Sequence, residues 1–138
     1  MIARPAVIVH GLEDARAALA PGRPVTLLSA RGAALYAGCG WWQALVEAAR
    51  AEFPATDADD VLDCADAPGR ALEALRVGLR NLVLDADCPA FAAVERVAAE
   101  VGARILPAVP AALDLAQRGA SRRLLAWLSP PGDSEAGM

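Results

Sequence analysis

Lysine is missing from this chain: all 13 of its basic residues are arginine. With it go the chemistries that need an amine at the reacting centre, namely Schiff-base aldol cleavage, pyridoxal phosphate attachment, the phosphate-loop lysine and the kinase lysine. Histidine is almost missing too, because His10 is the only one and so the only imidazole base on offer. No G-x-S-x-G elbow is present to make a serine nucleophile. No G-x-G-x-x-G follows a strand either: the first strand leads into His10-Gly11-Leu12-Glu13-Asp14, and the glycines at 32, 38 and 40 have the wrong spacing for a dinucleotide. No cofactor is expected.

Long apolar runs are also lacking. The composition is 56% hydrophobic, yet charge, Gly or Pro breaks every run well before the 18 or so residues that a membrane helix requires. The segment Met1-Ile2-Ala3-Arg4-Pro5 has neither the apolar stretch nor the cleavage site of an export signal, so a cytoplasmic protein is expected. Net charge is −4 and the arginines are scattered, apart from the pair Arg122-Arg123. Neither nucleic acid nor a membrane is therefore an expected partner. Three cysteines make an odd count without a short-range pairing pattern, which predicts free thiols. Alanine and arginine in excess without lysine mark a GC-rich bacterial genome rather than a function.

What is present is an alternation of short apolar runs with helix-period stretches. Strands are predicted at Ala6-Val7-Ile8-Val9, Val25-Thr26-Leu27-Leu28, Val61-Leu62, Leu82-Val83-Leu84 and Ile105-Leu106. Helices are predicted near Leu12–Leu19, at a brief turn over 33–37, over 41–53 with Trp42, Leu45, Val46, Ala49 and Phe53 inward, and after Pro68 with Asp66 as its cap. A further helix opens at Cys88-Pro89, capped by Asp87, with Phe91, Val94, Val97, Ala98 and Val101 inward, and another is expected from Ala111 to Gln117. The segment from Leu124 to Leu128 reads equally as a sixth strand or as a packing segment.

This pattern predicts one α/β domain over residues 1–129, with 130–138 a disordered tail. The expected fold is a mostly parallel sheet of five strands, with a sixth left open, and helices on both faces. A flavodoxin-like or Rossmann-like open order is preferred, because a closed (β/α)₈ barrel needs roughly 200 residues or more. Consecutive order, as in part of a (β/α) barrel, is the alternative. In both, ligands belong at the carboxyl ends of the strands.

The polar residues collect there. His10, Ser29-Ala30-Arg31, Asp63-Cys64-Ala65-Asp66 and Asp85-Ala86-Asp87-Cys88 each follow a strand. A zinc site from His10, Cys39, Cys64 and Cys88 is disfavoured, because one pair of these starts three strands apart, roughly 14 Å, and no C-x₂-C spacing occurs. Asp85 and Asp87, at i and i+2, suit a magnesium-assisted enzyme, but no lysine is present to neutralise a phosphate. No metal is expected.

The stretch from Arg31 to Trp42 runs to about ten residues where two to six are usual. Its glycines lead into a helix N-terminus, where backbone amides of Gly38, Cys39 and Gly40 favour an anion and Arg31 supplies a forked partner. Trp41 sits about 100° around the helix from Trp42 and is expected to border a pocket or interface. Two functional classes follow. One is a module binding a small anionic ligand or a partner protein through Arg31, Gly38, Cys39, Gly40, Trp41 and Asp66. The other is a thiol-dependent enzyme with Cys39 as nucleophile and His10 as base. A homodimer is expected, since Trp41 and Trp127 leave more apolar surface than a small domain hides.

Overall fold

Twelve elements follow one another along the chain: β1 (Ala6–Val9), α1 (Leu12–Leu19), β2 (Val25–Ser29), α2 (Ala33–Tyr36), α3 (Cys39–Glu52), β3 (Ala58–Asp63), α4 (Pro68–Arg76), β4 (Asn81–Val83), α5 (Phe91–Glu100), β5 (Arg104–Leu106), β6 (Ala112–Asp114) and α6 (Ala120–Leu128). The computed structural model describes residues 4–130, so most of the expected tail, 131–138, lies outside the described residues. All six strands pair in parallel in a single open sheet of order β5-β4-β3-β2-β1-β6.

The α/β class and the parallel sheet are as expected, but a sixth strand is present at Ala112–Asp114, and β1 to β5 follow one another in consecutive order, with β6 beside β1, not in a flavodoxin-like one. That difference also decides where the helices go. A right-handed crossover that always advances in the same direction puts every helix on the same side of the sheet, and only a reversal of direction populates both. The main apolar core accordingly joins Val7, Leu27, Leu62, Leu82, Ile105 and Leu113 to buried residues of all six helices, such as Leu19, Trp42, Leu75, Val94 and Leu124. The expectation of helices on both faces is corrected: no helix contributes to the second cluster.

That second cluster takes one residue from each strand: Leu28, Val61 and Val83, with Ile8, Leu106 and Ala112 packed against them. Although no helix covers them, Leu28 and Val83 are 0% exposed. Curvature buries them. Residues 107–111 alone carry the chain from the end of β5 to the start of β6, at opposite edges of the sheet. A flat sheet would separate those strands by five spacings, roughly 24 Å, and the chain would also have to return to the amino end; six residue steps reach only about 22 Å. The sheet must therefore curl, turning its helix-free sides toward one another as in a barrel interior, while remaining open.

One segment differs from its expected role, and the structure decides between the two readings of its neighbour. Ala112-Leu113-Asp114 is a strand beside β1, not part of a helix from 111 to 117, and Ala120–Leu128 is a helix, not a strand. Pro107 and Pro110 keep the preceding backbone out of a helical ladder. The helical period starts only after Gly119, in its left-handed conformation (φ 80°), and buries Ala120, Leu124 and Leu128. Further corrections concern helix starts. Ala67 and Ala90 occupy the N-cap positions of α4 and α5, with no side-chain cap, so neither Asp66 nor Asp87 caps a helix. Helix α5 begins at Phe91, not at Cys88, and buries Val94 and Ala98, whereas Val97 and Val101 are exposed beside α4 residues Leu72 and Leu75.

Asp60 of β3 lies on the helix side, within 3.3 Å of Arg50 Nη2. Burial pushes its pKa up and the nearby Asp59 adds to this, against the pull of Arg50. A carboxyl with a raised native pKa favours the fold while protonated, and that contribution disappears as pH rises through the native pKa. Ionised Asp60 is thus a net cost at pH 7. Asp60→Asn is expected to raise the melting temperature there by roughly 1–3 °C, the shift produced by a few tenths of a kcal/mol or slightly more. The gain should shrink as the pH falls through the raised native pKa and vanish below the ordinary carboxylate value, which melting curves at pH 7 and pH 3.5 check.

Candidate functional site

The carboxyl ends of the strands carry the polar groups, directly beyond the apolar layer of the curled sheet. Asp63 ends β3 and is 1% exposed. Its backbone N–H donates to Ser29 Oγ at the end of β2 (2.9 Å), and its Oδ1 accepts the N–H of Ala65 (2.8 Å). Ala65 is the one described non-glycine residue with positive φ, at 52°. Its carbonyl accepts the N–H of Asp85 (2.8 Å), so one strained residue ties the end of β3 to the end of β4.

Arg31 reaches across this junction. The chain turns just after it through Gly32, at φ 67°, a conformation suited to glycine. The guanidinium then donates from Nη1 and Nη2 to the two carboxylate oxygens of Asp85 (2.9 and 2.8 Å), a bidentate fork, and Nη1 lies 3.5 Å from Asp63 Oδ1. The fork holds the Asp85 carboxyl below its usual range and raises Arg31 further. Arg31 remains 57% exposed, so the pair faces solvent at the mouth of the sheet.

A second polar pair lies on the other side of that mouth. His10 Nε2 and Asp114 Oδ1 share a 2.6 Å hydrogen bond, while the His10 backbone N–H donates to Asp14 Oδ2 (2.9 Å). Burial opposes the charge on Asp114, but hydrogen bonds from His10 and from the Ala116 N–H outweigh it and hold its pKa below the ordinary value. The ionised carboxylate accepts a hydrogen bond from Nε2–H, which places the ring proton on Nε2.

The structure groups the expected residues differently. Arg31 meets Asp85 and Asp63 and no hydrogen bond links it to Gly38, Cys39 or Gly40. Gly38, at φ 88°, is the N-cap of α3; its N–H donates to the Ala33 carbonyl (3.2 Å) and its carbonyl accepts the Trp42 N–H (3.4 Å). The amides of Cys39, Gly40 and Trp41 are then those that a helix leaves without an intrahelical acceptor, and no side chain caps them. A Cβ on Gly40 would meet nothing within 4 Å, so packing does not require glycine there. Trp41 leans on Trp42 with ring centroids 6.0 Å apart and stays partly exposed. Asp66 and Asp87 are exposed in turns.

Cys39 packs half-buried against the core on the helix side, and no hydrogen bond joins it to His10 among the described residues. Its neighbour is Cys64, whose thiol is pushed up to about 12 by burial, then by Asp63 and Cys39. Cys64 is therefore inert at neutral pH. No group of three or more His, Cys, Asp or Glu side chains able to hold a metal ion occurs among the described residues.

Asp63 was counted among the residues at the strand ends but given no role, and Asp114 was not singled out. The position of Asp63 at the end of an apolar strand was a usable signal. Asp114 was hidden by the helix expected over it. A scan of the chain against protein-family models finds no match, and a search of curated proteins finds none. No helix in the described part is long and apolar enough to cross a membrane.

Proposed function

We propose that this chain is a small α/β module that binds a small anionic ligand at the carboxyl edge of its sheet, with Arg31 as the cation that receives it. The observation that carries this reading is the solvent-facing fork between Arg31 and Asp85. Such planar, two-bond geometry is how arginine holds a carboxylate or phosphate, and here an internal carboxylate occupies the place. A ligand anion displaces Asp85 from the fork, and the uncapped amides of α3 offer further donors on the same edge. Cytoplasmic location and a homodimer complete the proposal; Leu125, Tyr36 and Leu35 add exposed apolar surface to Trp41 and Trp127 in support of the dimer.

Because Asp85 competes with the ligand, its removal has a definite sign. Thermal-shift titrations with phosphate, sulfate and small dicarboxylates should show the wild type stabilised, and Asp85→Asn stabilised at lower anion concentration. Arg31→Ala should weaken binding by about 1.5–3 kcal/mol, the range for a charge-assisted hydrogen bond. Identical responses from all three proteins would remove the reading.

A second reading rests on the 2.6 Å bond between His10 and Asp114. An imidazole oriented by a carboxylate is the arrangement of a general base. An enzyme reading would assign the proton transfer to this pair, and not to His10 with Cys39.

A further inference from the structure

Beneath the shared apolar layer, at the amino ends of the strands, the curled sheet forms a half-open pocket of about 280 Å³. Its wall combines Ala6 of β1, Thr26 of β2, Val61 of β3 and Leu106 of β5 with Pro110 and Ala111 of the segment crossing to β6. A packed barrel fills this level with branched side chains. Here Ala6 and Ala111 are too short to do so, and Thr26 brings a hydroxyl in place of a methyl group.

The charged groups around the cavity are not equally satisfied. Arg4 is paired with Asp57 (3.0 Å), and Asp59 accepts from Asn81 Nδ2 (2.9 Å). Arg104, on the helix-free side of β5, lines the cavity with no hydrogen-bond or ion-pair partner for its guanidinium among the described residues. A solvent-exposed cation, unpaired among the described residues, thus sits beside an apolar wall formed by Val61 and Leu106, in an open pocket just below the usual size range of ligand pockets.

We infer that this cavity takes a small monocarboxylate with an apolar body, its carboxylate on Arg104 and its chain against Val61 and Leu106. The Thr26 hydroxyl supplies a second polar contact. The site is separate from the carboxyl-edge fork of Arg31 and Asp85, at the other end of the strands, and does not depend on it.

The test is an amide-resonance titration of the full chain with isobutyrate, and in parallel with its neutral analogue isobutyramide. A ligand of about six non-hydrogen atoms should bind in the millimolar range, shifting residues around Thr26, Val61 and Arg104. The amide should bind about tenfold more weakly, and so should isobutyrate to Arg104→Gln, since one lost charge-assisted contact is worth about that factor. Thr26→Ile keeps a β-branched residue in the strand, fills the cavity and should abolish the shifts. Arg31→Ala should leave them unchanged. Equal binding of acid and amide, unchanged binding by Arg104→Gln, shifts centred on Arg31, or no shifts in the wild type would each overturn the inference.

Discussion

Leu28→Ala is expected to lower the unfolding free energy by about 3 kcal/mol, the middle of the range for a buried leucine truncated to alanine. In a chain of this length that corresponds to a fall in melting temperature of roughly 10 °C. The size of the effect tests the curvature of the sheet. Leu28 points away from every helix, so a flat sheet with one bare face would leave it in water and its truncation would cost little. It is instead 0% exposed, as is Val83, and both belong to the layer to which each strand gives one side chain. The comparison with Leu27→Ala is informative, because Leu27 is equally buried but packs on the helix side. Urea denaturation of both variants should give similar losses. A loss below about 1 kcal/mol for Leu28→Ala alone, in the range of ordinary surface substitutions, would show that the helix-free side is open.

The alternation of apolar runs with helical stretches made the α/β class readable, because strand and helix periods differ and each run was bounded by Gly, Pro or charge. Strand order was less readable. The β/α units are compatible with a sheet that reverses direction and with one that does not, and nothing local in residues such as Val61 or Leu82 distinguishes the neighbours they will have. The five-residue connection from Leu106 to Ala112 was the decisive clue, but its meaning depended on recognising Ala112-Leu113-Asp114 as a strand. Three residues are too few to establish a period, and their single buried side chain, Leu113, suits either element.

The candidate site was legible at the level of an edge, not of partners. His10, Arg31 and Asp85 were each placed after a strand, and all lie there. Arg31, however, bridges over β3 to Asp85, and such reach over a neighbouring strand leaves no spacing in the sequence. The aspartates that looked like caps, Asp66 and Asp87, cap nothing, whereas Asp63, inside the strand end, holds the turn together.

Asp63→Ala should be the most damaging single change at this edge, costing about 2–3 kcal/mol. Its carboxylate accepts the Ala65 N–H at 2.8 Å and lies 3.5 Å from Arg31, so truncation leaves a part-buried donor unpaired and releases one side of the guanidinium. An unsatisfied buried donor alone costs about 1–3 kcal/mol. The loss also exposes a strain that Asp63 now offsets. Ala65 sits at φ 52°, where an L-residue with a Cβ pays roughly 1–2 kcal/mol and glycine does not. Ala65→Gly in the wild type should therefore be neutral or stabilising by up to about 1 kcal/mol, because the greater freedom of unfolded glycine consumes part of the gain. In the Asp63→Ala background the same change should recover more, since the turn no longer has its carboxylate to enforce the left-handed geometry. Asp63→Asn keeps an acceptor at Oδ1 and should lose less than Asp63→Ala, the difference separating the turn bond from the charge. Chemical denaturation of the four proteins in the Asp63/Ala65 cycle measures the coupling directly. Strict additivity within about 0.3 kcal/mol would mean that the carboxylate and the strained turn act independently.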